Sequence, residues 1–201
     1  MGEKSQKLQS GRGRGASSGR TSEKTTIIRP GAVTREFSSG GVVFKKEKDQ
    51  TLWLVRATVP NDLFPKVYWA LPKGWIDDSD TWRVPGPITR GKIKATEEDL
   101  QKTAIREVKE EGGVEAKIVE KVGTERYFYN HPENGNILKF VTFYLMEFVK
   151  DLPDGHDEET SEVVWLPFEE AYKKLSFGGE KQILKKASEA LSNTSQPSLL
   201  K

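Results

Sequence analysis

Apolar and polar positions alternate through much of the chain, and the alternation predicts strands. Gly40-Gly41-Val42-Val43-Phe44 reads as a glycine-led strand and residues 51–55 as its partner, joined by a hairpin-length polar turn over 45–50. Residues 67–71 form a third strand, which runs into Pro72-Lys73-Gly74. Residues 116–119 and 123–129 read as two more, with a break at Asn130-His131-Pro132-Glu133-Asn134-Gly135. The most strand-like stretch is 139–148. One of its faces carries Lys139, Val141, Phe143, Leu145 and Glu147, the other Phe140, Thr142, Tyr144, Met146 and Phe148. Both are apolar in the middle, which predicts a central strand covered on both sides. An acidic loop over 151–162 precedes a last strand, Val163-Val164-Trp165-Leu166-Pro167.

The period becomes helical at Leu100, Ala104, Ile105 and Val108, which supply a buried stripe. Thr96 is the N-cap candidate, with Asp99 three residues on as a loose capping box. The acidic first turn suits the helix dipole. Gly112-Gly113 is a C-terminal stop. Two further helices close the chain over 168–175 and 179–191, the second burying Ile183, Leu184, Ala187 and Leu191.

The polar face of the first helix holds the candidate chemistry. Arg106-Glu107-Val108-Lys109-Glu110-Glu111-Gly112-Gly113-Val114 places three carboxylates and one guanidinium within six residues. Helical spacing makes Arg106 and Glu110 neighbours, and likewise Glu107 and Glu111. Like charges so placed repel. Arg106 offsets part of that cost, and a divalent metal with oxygen ligands would offset the rest. A charged run is most often a solvated face. Here the apolar stripe on the other flank gives the acidic face one defined orientation.

Composition narrows the options. The 201 residues are 35% hydrophobic and 31% charged, enough for one domain with a core and a tail. Cysteine is absent, which excludes disulfides, thiolate zinc sites and cysteine nucleophiles. Two histidines, His131 and His156, cannot build a histidine-rich metal site. A metal would therefore be held by carboxylates and carbonyls, which points to Mg²⁺ or Mn²⁺. The net charge of +2 divides into +6 over residues 1–35 and −4 over the rest, so the body does not read as a dedicated nucleic-acid binder. Residues 1–35 are rich in Gly, Ser and Arg and are expected to be disordered. Their Arg-Gly run could touch single-stranded RNA, although a solubilising tail is the simpler role. No apolar run reaches the roughly 18 residues of a membrane span, and the first residues lack the apolar stretch of a signal peptide. The cytoplasm is the expected compartment.

The run Arg106 to Val114 resembles the second half of the Nudix box, G-x5-E-x7-R-E-U-x-E-E-x-G-U, where U is a bulky aliphatic residue. Arg106, Glu107, Val108, Glu110, Glu111, Gly113 and Val114 match, and Glu98 stands eight residues before Arg106 at the box's earlier glutamate. The strand ending in Leu71-Pro72-Lys73-Gly74 is similar to Nudix enzymes acting on diadenosine polyphosphates. One feature departs from the family. Between Gly74 and Glu98 lie 23 residues where the box has five, an insertion over 76–96 that carries Arg90, Lys92 and Lys94. A loop of that length is either a lid over substrate or a solvated excursion. Gly91 would offer a different register for the box glycine.

The resemblance implies a Nudix-type α/β/α sandwich with a mixed sheet over residues 36–192, followed by a frayed 193–201. It implies Mg²⁺-dependent hydrolysis of a phosphoanhydride in a nucleoside diphosphate linked to another moiety, with a dinucleoside polyphosphate such as diadenosine tetraphosphate as the best fit. An inactive nucleotide-binding regulator and an RNA-directed hydrolase are the alternatives. The implied metal ligands are the Lys73 carbonyl, Glu107, Glu110, Glu111 and a loop carboxylate, Glu159, with Glu158 and Glu162 as alternatives. Glu107 or Glu159 would act as base. Arg106 would orient Glu107 and pair with Glu98. Lys139 would meet a phosphate, and Tyr127, Tyr129, Phe143 and Tyr144 form the aromatic set for a base, with Tyr127 and Phe143 preferred. Small-molecule nucleotides are the expected partners, no membrane is expected, and the oligomeric state is open.

Overall fold

A computed structural model describes residues 33–62, 64–77 and 84–194. The long central strand organises it. Among the described residues there are seven strands and three helices: β1 (Thr34–Glu47), β2 (Gln50–Thr58), β3 (Trp69–Ala70), β4 (Lys73–Trp75), α1 (Glu97–Gly112), β5 (Val114–His131), β6 (Gly135–Asp151), β7 (Thr160–Pro167), α2 (Phe168–Lys174) and α3 (Gly178–Thr194). All seven strands join in one mixed sheet. β1 runs parallel to β6, and the other pairs are antiparallel.

β6 lies between β1 and β5, and its alternation serves two cores. Val141, Phe143 and Leu145 pack with Val42, Trp53 and Leu71 under Leu175, Ile183, Leu184 and Ala187 of the α2–α3 layer. Tyr144 and Met146 pack with Val43 and Leu54 under Ala104 and Val108 of α1. This is the expected α/β/α sandwich with a mixed sheet. Since α1 lies on one side and α2 and α3 on the other, β6 needs apolar residues on both faces.

β1 and β2 pair only near their hairpin, over Phe44–Glu47 and Gln50–Trp53. Beyond that point β4 pairs with β1 and β3 with β2, so the segment 69–75 enters where the hairpin opens. The strand expected over 67–71 is cut down to Trp69–Ala70. The Leu71 N–H is given to Glu180 Oε2 at 2.8 Å, and Pro72 has no N–H to give. The segment therefore turns across the sheet and carries Lys73 and Gly74 toward α1.

Two expected strands, 116–119 and 123–129, are one. β5 is continuous, with register shifts at Glu115/Ala116, Ile118/Glu120 and Lys121/Gly123. Such bulges break the two-residue alternation without breaking the strand. β1 begins at Thr34, inside the stretch expected as tail, and α3 continues to Thr194. Residues 1–32 and 195–201, on which most of the tail and the frayed end fall, lie outside the described residues.

Residues 78–83 of the insertion are also outside them. The rest is tied down. The Asp77 carboxylate accepts the Ile88 and Thr89 N–H groups at 2.8 and 2.6 Å, and the Thr89 carbonyl accepts the Phe37 N–H at 2.8 Å. Gly91, at φ 66°, sits against the Phe37 ring, which stacks on Phe140 at 5.1 Å. Phe37 and Phe140 belong to the α1 side of the sheet, as do Tyr144 and Met146 by alternation. The described part of the insertion thus covers that side. Arg90, Lys92 and Lys94 are exposed there.

Candidate active site

α1 is held at both ends. The Thr96 hydroxyl accepts the Asp99 N–H at 3.1 Å and the Asp99 carboxylate accepts the Thr96 N–H at 2.8 Å, a full capping box. Hydrogen bonds from the Thr96 hydroxyl and N–H hold the Asp99 carboxyl below its usual pKa. The helix closes on Gly113 in the left-handed region, where a Cβ would run into the Gly155–His156 backbone. Gly41 lets Val108 come down on β1, since a Cβ there would collide with the Val108 side chain. The rotation of the helix is fixed by these contacts. Glu107 and Glu111 then turn inward, both buried.

Glu107 lies against Gly74. A Cβ at that position would collide with the Glu107 carboxylate. Gly74, not Gly91, is therefore the glycine that makes room for the box glutamate. Arg106 Nη2 bonds Glu107 Oε1 at 2.7 Å and the Trp75 carbonyl at 2.8 Å, and its Nη1 bonds Glu110 Oε2 at 2.6 Å. Arg106 thus meets Glu107, the carboxylate it is expected to orient. The other expected partner, Glu98, does not meet it: Glu98 stands exposed and pairs with Lys102 at 2.6 Å. Eight helical residues separate Glu98 and Arg106 by about 12 Å of rise, and Arg106 is drawn sideways to β4.

Glu111 accepts the Lys73 N–H at 2.7 Å and is ion-paired with Arg56 Nη2. Burial pushes its carboxyl above the ordinary range, while Arg56 and Lys73 pull the other way. Arg56 also reaches the Glu159 carbonyl at 3.5 Å, and Val59 N–H bonds the same carbonyl at 3.0 Å. The Glu159 charge acts on Glu111, so this loop carboxylate stands beside the helix face. Glu158 is exposed, and Glu162 lies opposite Ala57 on β7. Among the described residues no three carboxylates or histidines converge on one point: Glu107, Glu110 and Glu111 are each turned to an arginine. The donor set still fits a hard divalent ion, since every candidate donor is a carboxylate or backbone oxygen.

The second half of the site is a shelf on the α3 side of the sheet. There Val42, Phe44, Val141, Phe143 and Leu145 are covered by helices. Further along the same face, by alternation, stand Glu36 on β1, Lys139 on β6, and Glu125, Tyr127 and Tyr129 on β5. Lys139 lies opposite both Glu36 and Tyr127 in register. It is half-buried, 5.9 Å from the Trp75 ring centre. Burial lowers its pKa, the Glu36 charge opposes that, and the Lys73 charge adds to it. The charges of Glu107 and Glu111 act on it too. Tyr127 and Tyr129 have ring centres 6.3 Å apart, and the Tyr129 hydroxyl donates to Glu36 at 2.8 Å. Lys73 Nζ bonds buried Glu180 at 2.8 Å. Burial is the largest single influence and lowers its pKa, but the charges of Glu180, Tyr127 and Glu111 together outweigh it and hold the pKa above the ordinary value.

Two members of the aromatic set are elsewhere. Phe143 is fully buried in the α2–α3 core and cannot stack a base. Tyr144 is buried on the α1 side and donates its hydroxyl to Glu97 at 2.7 Å. A central strand covered on both faces leaves neither ring open to a ligand. Three residues of the site escaped the sequence reading: Arg56, Glu36 and Glu180. Arg56 had a signal, a lone charge inside the apolar run 52–57. Glu36 and Glu180 had none, because only strand register and helix packing bring them in.

Comparison with known proteins bears on family and fold. The NUDIX domain family matches residues 35–186. The protein named MutT4 of Mycobacterium tuberculosis is 27% identical over 160 residues, 79% of this chain and 57% of that protein's length. The chain thus matches little more than half of that relative. Among solved structures, an Ap4A hydrolase of C. elegans superposes with a TM-score of 0.53 at 22% identity, covering 79% of this chain and 98% of the other. The NUDIX domain of Shewanella oneidensis NrtR, solved with ADP ribose, gives 0.54 at 17% identity, covering 83% and 94%. At these identities the likeness is one of fold. The family match spans most of the chain, and this protein belongs to the NUDIX domain family.

Proposed function

We propose that the protein hydrolyses a phosphoanhydride bond in a nucleoside diphosphate linked to another moiety, with Mg²⁺ as cofactor. The observation that carries this is the meeting of Glu107 and Glu111 on α1 with Gly74 and the Lys73 amide, while Lys139 stands within reach of the two carboxylate charges. Carboxylates for a metal and cations for phosphate stand at one end of the sheet.

Glu107, Glu110, Glu111 and Glu159 would hold the metal, together with the Lys73 carbonyl. In extended backbone the N–H and C=O of one residue leave the same side, so the Lys73 carbonyl accompanies its N–H toward Glu111. The bound ion would neutralise phosphoryl charge and activate a water. The chain does the rest. Arg106 clamps Glu107 to the Trp75 carbonyl, which fixes a carboxylate able to take a proton from the attacking water. Glu159 is the second candidate for that base. Lys139 stabilises phosphate charge, and burial strengthens its effect. Tyr127 offers a half-buried ring beside Lys139 for a base. A dinucleoside polyphosphate suits a shelf that has phosphate-binding cations at one end and aromatic rings beside them. The name of the C. elegans relative, an Ap4A hydrolase, supports that choice.

The test is turnover of dinucleoside polyphosphates, nucleotide sugars and nucleoside triphosphates with Mg²⁺ by the full chain and by Glu110→Gln. The expected result is release of a nucleotide product from one class and a large loss in the variant. Absence of turnover on every compound, or equal rates, would overturn the reading and favour a binding protein.

A further inference from the structure

One carboxylate on the shelf takes no part in the contacts described so far. Glu125 is half-buried on β5, on the face that carries Tyr127 and Tyr129. The other acidic groups nearby are engaged: Glu36 accepts the Tyr129 hydroxyl, and Glu180 accepts the Leu71 N–H and Lys73 Nζ. Glu125 makes no hydrogen bond or ion pair with a described residue, although the charges of Glu180 and Lys73 act on it. Its carboxylate is pressed against Gly179 at the start of α3, where any Cβ would collide with it. Alanine would suit a helix better than glycine at that place, so the glycine serves the carboxylate rather than the helix.

No described residue donates to this half-buried carboxylate, so its oxygens are left to water or to the donors of a ligand. Charge sets which part of a nucleotide lies there. Lys139 attracts phosphates toward α1, while Glu125 repels them; Lys73 and Glu180 neutralise each other in one buried ion pair. The nucleoside then lies at the Glu125 end, beside the Tyr127 ring. Two carboxylate oxygens match two adjacent donors, as on the N1–H and N2–H edge of guanine or the ribose 2′,3′-diol.

We infer that Glu125 is a specificity residue whose carboxylate accepts two adjacent hydrogen-bond donors of the substrate's nucleoside, with Gly179 leaving it room. This rests on the shelf being the nucleotide site of the proposed function.

Equilibrium binding by calorimetry tests it without turnover, using GMP, IMP and 2′,3′-dideoxy-GMP with Mg²⁺ on the full chain, on Glu125→Gln and on Gly179→Ala. IMP lacks the N2 donors and the dideoxy compound lacks the diol. The expected result is that Glu125→Gln weakens GMP by roughly tenfold or more. The compound missing the recognised pair loses nothing further, which tells base edge from ribose. Gly179→Ala should weaken GMP likewise at unchanged or raised Tm, because the displaced group is the far end of a flexible side chain. Equal weakening of all three compounds, no weakening, or no nucleotide binding by the unaltered chain would overturn the inference. A chain that shows this binding pattern but hydrolyses nothing would keep the inference and sink the hydrolase reading. Hydrolysis without the pattern would do the reverse.

Discussion

The α3-facing side of the sheet has two ends built on the same three strands. At one end Val42, Val141, Phe143 and Leu145 are covered by α2 and α3. At the other Glu36, Lys139 and Tyr129 stand on the same face, with Tyr127 and Glu125 at the border beside the core and the start of α3. The pleat is the same, and alternation alone does not separate them. The cover separates them: Gly178–Thr194 is the roof of the core, and its first residues border the site. A side chain two positions further along a strand changes from packing to recognition.

That contrast can be broken by substitution. The largest effect belongs to the covered end. Phe143→Ala should cost about 3–5 kcal/mol and lower Tm by roughly 10 °C, while the folded protein keeps its KM. Denaturant and thermal melts check the first, steady-state kinetics the second. A raised KM at unchanged Tm would return Phe143 to the substrate. Lys139→Ala, at the open end, should do the opposite: KM or kcat/KM worse by roughly tenfold, with Tm moved by little. A melt as damaged as that of Phe143→Ala would make Lys139 a core residue and erase the distinction.

The smallest effect is one of pH. Burial first, and the Glu180 charge second, push the Glu125 carboxyl from its ordinary 4.5 up to about 7. A raised carboxyl binds its proton more tightly in the folded chain. Its stabilising contribution is complete below about 4.5 and is lost as pH rises through about 7. Because Glu125 is half-exposed, the loss should be about 1 kcal/mol rather than the full value of the shift. Glu125→Gln should therefore gain in Tm relative to the unaltered chain on going from about pH 4.5 to about pH 8. Parallel melts of the two across that range would contradict the raised pKa.

The site was legible in the sequence where it is local. The capping box, the apolar stripe and the glycine stop of α1 lie within a few turns of one helix, and so do Arg106, Glu107, Glu110 and Glu111. The central strand was legible because a run that is apolar on both alternating faces needs cover on both sides, which only the middle of a layered sheet provides. What was lost is what tertiary register decides. Glu36 meets Lys139 only because β1 and β6 run parallel in one alignment. A Glu98–Arg106 pair follows from spacing along the helix axis, but the arginine found its partners across to β4. Phe143 and Tyr127 look alike as aromatic strand residues, and only packing tells one from the other: Phe143 lies fully inside the α2–α3 core, and Tyr127 lies at its edge.

In the proposed reaction water attacks a phosphoanhydride on the Glu107 side of α1. Hydrolysis of diadenosine tetraphosphate in ¹⁸O-labelled water with Mg²⁺, by the full chain and by Glu107→Gln, tests it directly. One ¹⁸O is expected in a phosphate of the product, with a rate at least about 10²-fold lower in the variant at similar Tm. An unlabelled product, no product, or equal rates from the two proteins would contradict it.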